Sequence, residues 1–155
     1  MKNVHASGLV IGDRGVIVMG PSGAGKSTLA LALVARCRAS GVPARLVGDD
    51  RLLLRRHGSR VVARVPDTIA GLAEIYGYGP IAEAHEQAAV IDLCVRLMPA
   101  RDVPRLDPGG AELVEEVEIA ALIAAERAAT AAIPAILARL EALGRSKTGC
   151  DETRA

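Results

Sequence analysis

Eight consecutive residues form a candidate phosphate-binding loop. Gly20 to Ser27 reads G-P-S-G-A-G-K-S and lies between an apolar run, Val16 to Met19, and a helical run, Thr28 to Arg38. The glycines allow the backbone N–H groups to surround a β-phosphate, and the positive end of the following helix dipole adds to the attraction. The pattern therefore predicts binding of a nucleoside triphosphate. The predicted binding residues are Gly20, Pro21, Ser22, Gly23, Ala24, Gly25, Lys26, Ser27 and Thr28.

Two adjacent aspartates, Asp49 and Asp50, follow a short apolar run, Ala44 to Gly48, that is predicted to be a buried strand. Phosphoryl transfer needs a carboxylate for the metal and a group that orients or deprotonates the attacking hydroxyl, and ligands collect at the carboxyl edge of an α/β sheet. A helix cap or a turn is the structural alternative. Neighbouring carboxylates repel each other, and successive strand residues face opposite ways, so different roles are expected for the two.

The elements that position these residues are read from apolar runs and turn residues. Strands are predicted at Gly8–Ile11 and Gly15–Met19, and the helix after the loop is expected to end near Ser40-Gly41. Leu52–Leu54 and Arg60–Val65 are predicted to form a hairpin around His57-Gly58-Ser59.

Two further helices and a strand are predicted after Val65. A short helix is expected from Pro66 through Glu74, a strand at Ala88–Leu97, and a loop from Pro99 to Gly110 with a short strand at Val103–Leu106. A long alanine-rich helix is then expected over much of Ala111 to Leu143, broken or kinked at Pro134.

The predicted architecture is a single α/β phosphate-loop domain over residues 1–143, with a mainly β central sheet, the phosphate-loop helix and a C-terminal helix. Residues 144–155 are expected to be a disordered polar tail. Half of the 155 residues are apolar, but Tyr76 and Tyr78 are the only aromatic ones, so the core must be aliphatic.

Net charge, charge placement and cysteine number argue against nucleic-acid binding, membrane binding and a disulfide framework. A net charge of +1 gives no electrostatic case for nucleic acid or an anionic membrane. The apolar runs are interrupted by Lys26 and by Glu126-Arg127, so no transmembrane span is predicted. The three cysteines, Cys37, Cys94 and Cys150, are expected to be reduced thiols in the cytoplasm.

Four landmarks in order resemble the catalytic domain of the HPr kinase/phosphorylase family. They are His5-Ala-Ser-Gly8, the phosphate loop, Leu46-Val-Gly-Asp-Asp50, and Glu74-Ile-x-Gly within Ile69–Gly79, where the family shows Glu-Ile-Arg-Gly-Ile-Gly. The resemblance covers residues 4–97. The chain is similar to the short form of the family found in some proteobacteria, which is without the N-terminal domain of the longer enzymes.

The resemblance implies the chemistry of the aspartate pair. Asp50 matches the aspartate that takes the proton from an acceptor serine, and Asp49 would support it. His5 would lie beside this aspartate and orient or tune it. In the reverse direction Asp50 would deliver a proton as inorganic phosphate attacks phosphoserine.

The resemblance also implies the cofactors and partner. Lys26 would hold the β- and γ-phosphates of ATP, while Ser27 and Glu74 would ligate Mg²⁺. The implied activity is transfer of the γ-phosphoryl group to a serine of an HPr-type phosphocarrier protein of a phosphotransferase system. The resemblance further implies a ring-like homo-oligomer, a hexamer.

The sequence departs from the family pattern at its arginines. Tyr76 stands where the signature has arginine, which removes a fixed cation near the site. Arg96, Arg101 and Arg105 are the local candidates for the family's mobile-loop arginine, and the family's C-terminal arginine-rich loop has no recognisable counterpart. Kinase activity with weak or absent phosphorolysis is therefore expected.

Two other functions remain open. A small-metabolite kinase would be expected to carry arginines in a lid soon after the phosphate-loop helix, whereas Arg51, Arg55 and Arg56 occupy strand positions. A nucleotide-binding regulatory module without transfer activity would explain the missing arginines, because binding can survive where stabilisation of the transition state is lost.

Overall fold

The structure, a computed structural model, describes residues 1–148 as eleven strands, two α-helices and two short 3₁₀ helices. The strands are β1 (Lys2–Val4), β2 (Ala6–Ile11), β3 (Arg14–Met19), β4 (Ala44–Gly48), β5 (Leu52–His57), β6 (Arg60–Arg64), β7 (Leu72–Ile75), β8 (Gly79–Ala82), β9 (Ala88–Met98), β10 (Ala111–Val114) and β11 (Val117–Ala125). The helices are α1 (Lys26–Ala39) and α2 (Ala129–Thr148), with 3₁₀ turns at Asp67–Ile69 and Ala100–Asp102.

Nine strands form one curled sheet around the long strand β9. The first residues of β9 pair antiparallel with β6, and its later residues pair parallel with β11. On its other side β9 pairs parallel with β3, which is followed outward by β2 and β4. Strands β7 and β8 form a separate hairpin. The result is a mixed α/β fold with a curled central sheet and two helices, in agreement with the predicted class.

One edge of the sheet gathers the chemistry-bearing residues. Strands β3, β9 and β11 are mutually parallel, and β4 runs with them because β2 is antiparallel to both β3 and β4. At this carboxyl edge the chain leaves β3 into Gly20, leaves β4 into Asp49, and leaves β11 into Glu126. The start of antiparallel β2, next to His5, lies at the same edge.

Alternate side chains of the sheet point to opposite faces and pack into two apolar layers. In β3, Val16 and Val18 pack with Leu33 of α1 and Ile136 of α2, whereas Ile17 packs into the opposite cluster. This period-two alternation is the pattern of a strand buried on both faces. The core is aliphatic, as the composition predicts, and it fixes β3 and α1 firmly on either side of the glycine-rich loop.

The structure confirms the predicted strands at Gly8–Ile11, Gly15–Met19 and Ala44–Gly48 and the predicted helix after the glycine-rich loop. It also confirms the hairpin around Gly58 and the strand that begins at Ala88. The predicted helix from Pro66 through Glu74 is wrong. Only Asp67–Ile69 forms a 3₁₀ turn, Gly71 adopts a left-handed φ of 74°, and β7 follows. The predicted short strand at residues 103–106 is also absent from the described chain.

The predicted helix from residue 111 is wrong in its first half. Residues 111–125 form β10 and β11 instead, joined by Glu115 and Glu116, whose φ values of 46° and 63° make a tight two-residue turn. Six residues of β11 pair with β9 from Leu93 to Met98, and this tertiary pairing overrides the helix propensity of alanine.

Helix α2 begins only at Ala129 and continues through Pro134 to Thr148, so the chain is not broken at the proline and the helix passes the predicted end at Leu143. The rest of the predicted tail, residues 149–155, lies outside the described residues. No helix within residues 1–148 is long and apolar enough to span a membrane. Cys37 and Cys94 are buried free thiols, as predicted, and Cys150 lies outside the described range.

Candidate active site

The loop between β3 and α1 is shaped by two glycines with left-handed backbones. Gly23 has a φ of 76° and Gly25 a φ of 91°, a region that residues with a side chain rarely adopt. Gly25 is also the N-cap of α1, and no capping side chain accepts a hydrogen bond from the N–H groups of the first turn. This geometry, with backbone N–H groups at the start of a 14-residue helix, suits an anion.

Lys26 folds back over this loop. Its Nζ donates to the Gly20 carbonyl at 3.0 Å and to the Pro21 carbonyl at 2.9 Å, and the residue is only 6% exposed. Burial lowers the pKa of Lys26 below its usual value, while the carboxylates of Asp50 and then Asp49 act in the opposite direction. The two aspartates therefore lie close enough to the lysine to interact with its charge.

Asp49 is the buried member of the aspartate pair. Its Oδ1 accepts a hydrogen bond of 2.6 Å from Ser7 Oγ, and its Oδ2 accepts one of 3.2 Å from the Glu74 backbone N–H. The carboxylate thus connects β2, the end of β4 and β7. A buried carboxylate with both oxygens occupied is held rigidly, which suits an orienting or supporting role.

Asp50 faces the opposite way and is exposed. Its φ of 68° places the backbone in the left-handed region, stabilised by a 2.8 Å bond from the Arg51 N–H to the Asp49 carbonyl. His5 Nδ1 lies 2.7 Å from the Asp50 backbone oxygen and 2.9 Å from Asp50 Oδ1. Because both of these oxygens are acceptors, Nδ1 must carry the proton.

Glu74 lies on β7 rather than on the predicted helix. It lines an open cavity of about 500 Å³ together with Asp49, Asp50 and the apolar side chains of Ile69 and Leu72. Its neighbour Ala73 is buried in the same apolar layer as α1, and this packing holds the strand against the helix. The structure therefore brings Glu74 to the aspartate pair through a strand.

The donor chemistry at this edge fits Mg²⁺. Ser27 in the first turn of α1 offers a hydroxyl, and Glu74 offers a carboxylate beside the aspartate pair. Within the described residues, no three His, Cys, Asp or Glu side chains form a group that could hold a metal ion. Mg²⁺ is commonly bound by one or two protein oxygens plus substrate phosphates, so the oxygens of Ser27 and Glu74 are compatible with such a site.

The model of the HPr Serine kinase C-terminal domain family matches residues 1–116, three quarters of the chain. The chain belongs to this family. The match includes the glycine-rich loop, the aspartate pair, His5 and Glu74, and it ends at the turn between β10 and β11.

Curated relatives include two HPr kinase/phosphorylases. The protein from Peptoclostridium acidaminophilum is 42% identical over 79 residues, which are 50% of this chain and 24% of the relative. The protein from Halalkalibacterium halodurans is 40% identical over 102 residues, which are 61% of this chain and 31% of the relative. The matched region thus spans about a quarter to a third of the length of these relatives.

A solved structure is similar over nearly the whole chain. The HPr(Ser) kinase/phosphatase from Coxiella burnetii superposes with a TM-score of 0.74 at 25% identity, and the match covers 96% of this chain and 99% of that one. The likeness therefore extends past residue 116 and includes β11 and most of α2.

Three arginines are the candidates for the mobile-loop arginine of the HPr kinase pattern, and Tyr76 replaces the arginine of its signature. Arg96 is ion-paired with Glu112. Arg101 is 83% exposed in the 3₁₀ turn after β9, and Arg105 is exposed in the loop beyond. Tyr76, at the tip of the β7–β8 hairpin, is 94% exposed.

Two residues of this edge, Ser7 and Arg127, have no functional role predicted from the sequence. Ser7 is a polar residue in an otherwise apolar strand, and that is the signal that could have marked it as a buried hydrogen-bond donor. Arg127 contacts the glycine-rich loop, whereas in the sequence its charge indicates only an interruption of an apolar run. Its contact joins residues 104 positions apart, which no local pattern encodes.

Proposed function

We propose that this chain is an ATP-dependent protein serine kinase whose acceptor is an HPr-type phosphocarrier protein. The observation that carries the proposal is the exposed carboxylate of Asp50, held by His5 at the sheet edge where the glycine-rich loop and α1 begin. A base, a phosphate-binding cation and a helix N-terminus then meet at one sheet edge. Family membership favours HPr kinase over the two alternative functions.

In the proposed reaction, Asp50 orients the acceptor serine hydroxyl and takes its proton. The serine oxygen forms the new bond to the γ-phosphorus, and the bond from that phosphorus to the β–γ bridging oxygen breaks, releasing ADP. Deprotonation is late in a largely dissociative transition state, so the position of Asp50 matters more than its basicity. The His5 hydrogen bond and the Asp49 anchor supply that position.

Lys26 is the proposed cation for the β- and γ-phosphates. Its Nζ would exchange the loop carbonyls of Gly20 and Pro21 for phosphate oxygens, and burial gives this exchange a low-dielectric setting. Ser27 and Glu74 are the residues that would hold Mg²⁺, which supplies neutralisation of negative charge on the triphosphate when it is bound.

The acceptor segment is proposed to enter the open cavity beside Asp50. Its lining is charged at the aspartate pair and apolar at Pro66, Ile69 and Leu72. Such a lining can take an extended peptide whose serine points at the carboxylates while its neighbours contact the apolar wall.

Phosphorolysis is proposed to be weak. Attack of inorganic phosphate on phosphoserine brings two anions together, so the reverse reaction depends on cations more than the forward one does. Tyr76, which is exposed, carries no positive charge that could stabilise the approach of the two anions.

The test uses the purified chain with γ-labelled ATP, Mg²⁺ and HPr-type carriers of the host. Label on a carrier serine is expected, and Asp50→Asn is expected to lower the rate of labelling by roughly 10²–10⁴-fold while nucleotide affinity changes little. Lys26→Ala is expected to lose both labelling and binding. Asp13→Asn, an exposed carboxylate in the β2–β3 turn, serves as the matched control and should keep full activity.

Nucleotide binding without any labelled carrier would contradict the kinase proposal and would favour the regulatory module. Label transferred to a small metabolite would favour the metabolite kinase. Undiminished labelling by Asp50→Asn would contradict the assigned base.

A further inference from the structure

Arg127 holds two consecutive carbonyls of the glycine-rich loop. Its backbone N–H donates to the Ala24 oxygen at 2.9 Å, and its side-chain Nε donates to the Gly23 oxygen at 3.0 Å. The Arg127 backbone lies in the left-handed region with a φ of 55°, a conformation that an arginine rarely adopts unless its surroundings fix it.

Arg127 lies on the opposite side of the loop from the aspartate pair. The sheet order β4-β2-β3-β9-β11 places Asp49 and Asp50 two strands from β3 on one side and Arg127 two strands from β3 on the other. The residue also lies outside the segment that the family model matches.

This placement assigns Arg127 to the nucleoside half of a bound nucleotide. If the γ-phosphate faces Asp50, as the proposed function requires, a triphosphate crossing the loop directs its nucleoside toward the end of β11. The guanidinium is exposed, and within residues 1–148 no carboxylate pairs with it at ion-pair distance. With Nε bound to the loop, a flat face and the terminal nitrogens remain available.

We propose that Arg127 is a nucleoside-binding residue whose guanidinium plane, tethered to Gly23, stacks on the base of the bound nucleotide. Guanidinium planes stack well on aromatic rings and on nucleic-acid bases. The bond to Gly23 fixes the plane before the ligand arrives, which reduces the entropy lost on binding. The inference rests on the proposed function, because it requires a nucleotide on this loop.

Calorimetric titration with ATP, ADP and inorganic tripolyphosphate, each with Mg²⁺, tests the assignment. Tripolyphosphate has the phosphates without the nucleoside. Arg127→Ala is expected to weaken ATP and ADP binding by roughly five- to twentyfold and to leave tripolyphosphate affinity within about twofold. Arg127→Asn should likewise weaken ATP and ADP binding while leaving tripolyphosphate affinity nearly unchanged. Because asparagine tolerates a left-handed backbone better than alanine does, this variant controls for misfolding of Arg127→Ala.

The matched control is Arg60→Ala, an exposed arginine of the β5–β6 hairpin, which should bind all three ligands like the unsubstituted protein. Lys26→Ala should weaken all three ligands. Equal losses of ATP and tripolyphosphate in the Arg127 variants would overturn the assignment, because the arginine would then be a phosphate contact. Unchanged ATP affinity would overturn it as well. Failure of the unsubstituted protein to bind any ligand would instead overturn the proposed function, and the inference with it.

Discussion

Ser7 and Asp49 are joined by a buried hydrogen bond of 2.6 Å from Ser7 Oγ to Asp49 Oδ1, which connects β2 to the residue that follows β4. Both residues are 6% exposed or less. The second Asp49 oxygen accepts the Glu74 N–H, so the carboxylate is held on both sides. Asp49 thereby fixes the turn that presents Asp50 to solvent.

Removal of the serine hydroxyl should destabilise the fold. Ser7→Ala leaves one oxygen of a buried carboxylate without its donor, and we expect the free energy of unfolding to fall by about 1–3 kcal/mol. Urea unfolding measures the change. Ser59→Ala, in the exposed β5–β6 turn, is the control and should be nearly neutral. Equal stabilities of the two variants would show that the Ser7 bond contributes nothing.

Substitution of Asp50 should change the titration of Lys26. Burial lowers the pKa of Lys26, and the Asp50 carboxylate opposes that shift by stabilising the charged amine. Asp50→Asn removes the opposing charge, so the pKa of Lys26 should fall further, and the amine should lose its proton at a lower pH than in the unsubstituted protein. NMR titration of the lysine side-chain resonances measures this. Asp13→Asn should leave the Lys26 titration unchanged, and an unaltered pKa in Asp50→Asn would contradict the coupling.

The local structure around the glycine-rich loop can be predicted from the sequence. The glycine-rich loop, the strand before it and the helix after it form one continuous segment whose apolar periods and turn residues are visible directly. Asp49 and Asp50 are predictable for the same reason, because they end an apolar run at the carboxyl edge.

The parts that the sequence did not predict depend on contacts distant in the chain. Residues 117–125 are rich in alanine and are predicted to be helical, but they form a strand that pairs parallel with β9. The turn before them uses Glu115 and Glu116, not the Asn-Gly or Asp-Gly pair that marks such hairpins. Without that strand, nothing in the sequence brings Arg127 to the loop.

His5 should act on turnover through the hydrogen bond of its Nδ1 with Asp50. His5→Ala removes the donor, and we expect kcat to fall by about tenfold, equivalent to ~1.4 kcal/mol, with little change in nucleotide affinity. Asparagine can present an N–H group where Nδ1 lies, so His5→Asn should recover much of the loss. Steady-state kinetics of carrier phosphorylation measures both variants. A rise in KM for ATP at constant kcat would show that His5 acts on nucleotide binding instead.

The Cys94 thiol should make stability depend on pH in the alkaline range. Burial raises its pKa from 9.0 to about 11, and Arg96 acts in the opposite direction. The thiol keeps its proton in the folded state to a higher pH than in the unfolded chain. Its contribution to stability is therefore fully present below pH 9 and is lost as the pH rises toward 11. Urea unfolding between pH 7.5 and 10.5, compared with Cys94→Ala, isolates this contribution. The difference in free energy of unfolding between the two proteins should be constant below about pH 8.5. Above that pH, the free energy of unfolding of the unsubstituted protein should fall steadily relative to that of Cys94→Ala. Parallel curves across the whole range would mean that the thiol ionises equally in both states and would contradict the raised pKa of buried Cys94.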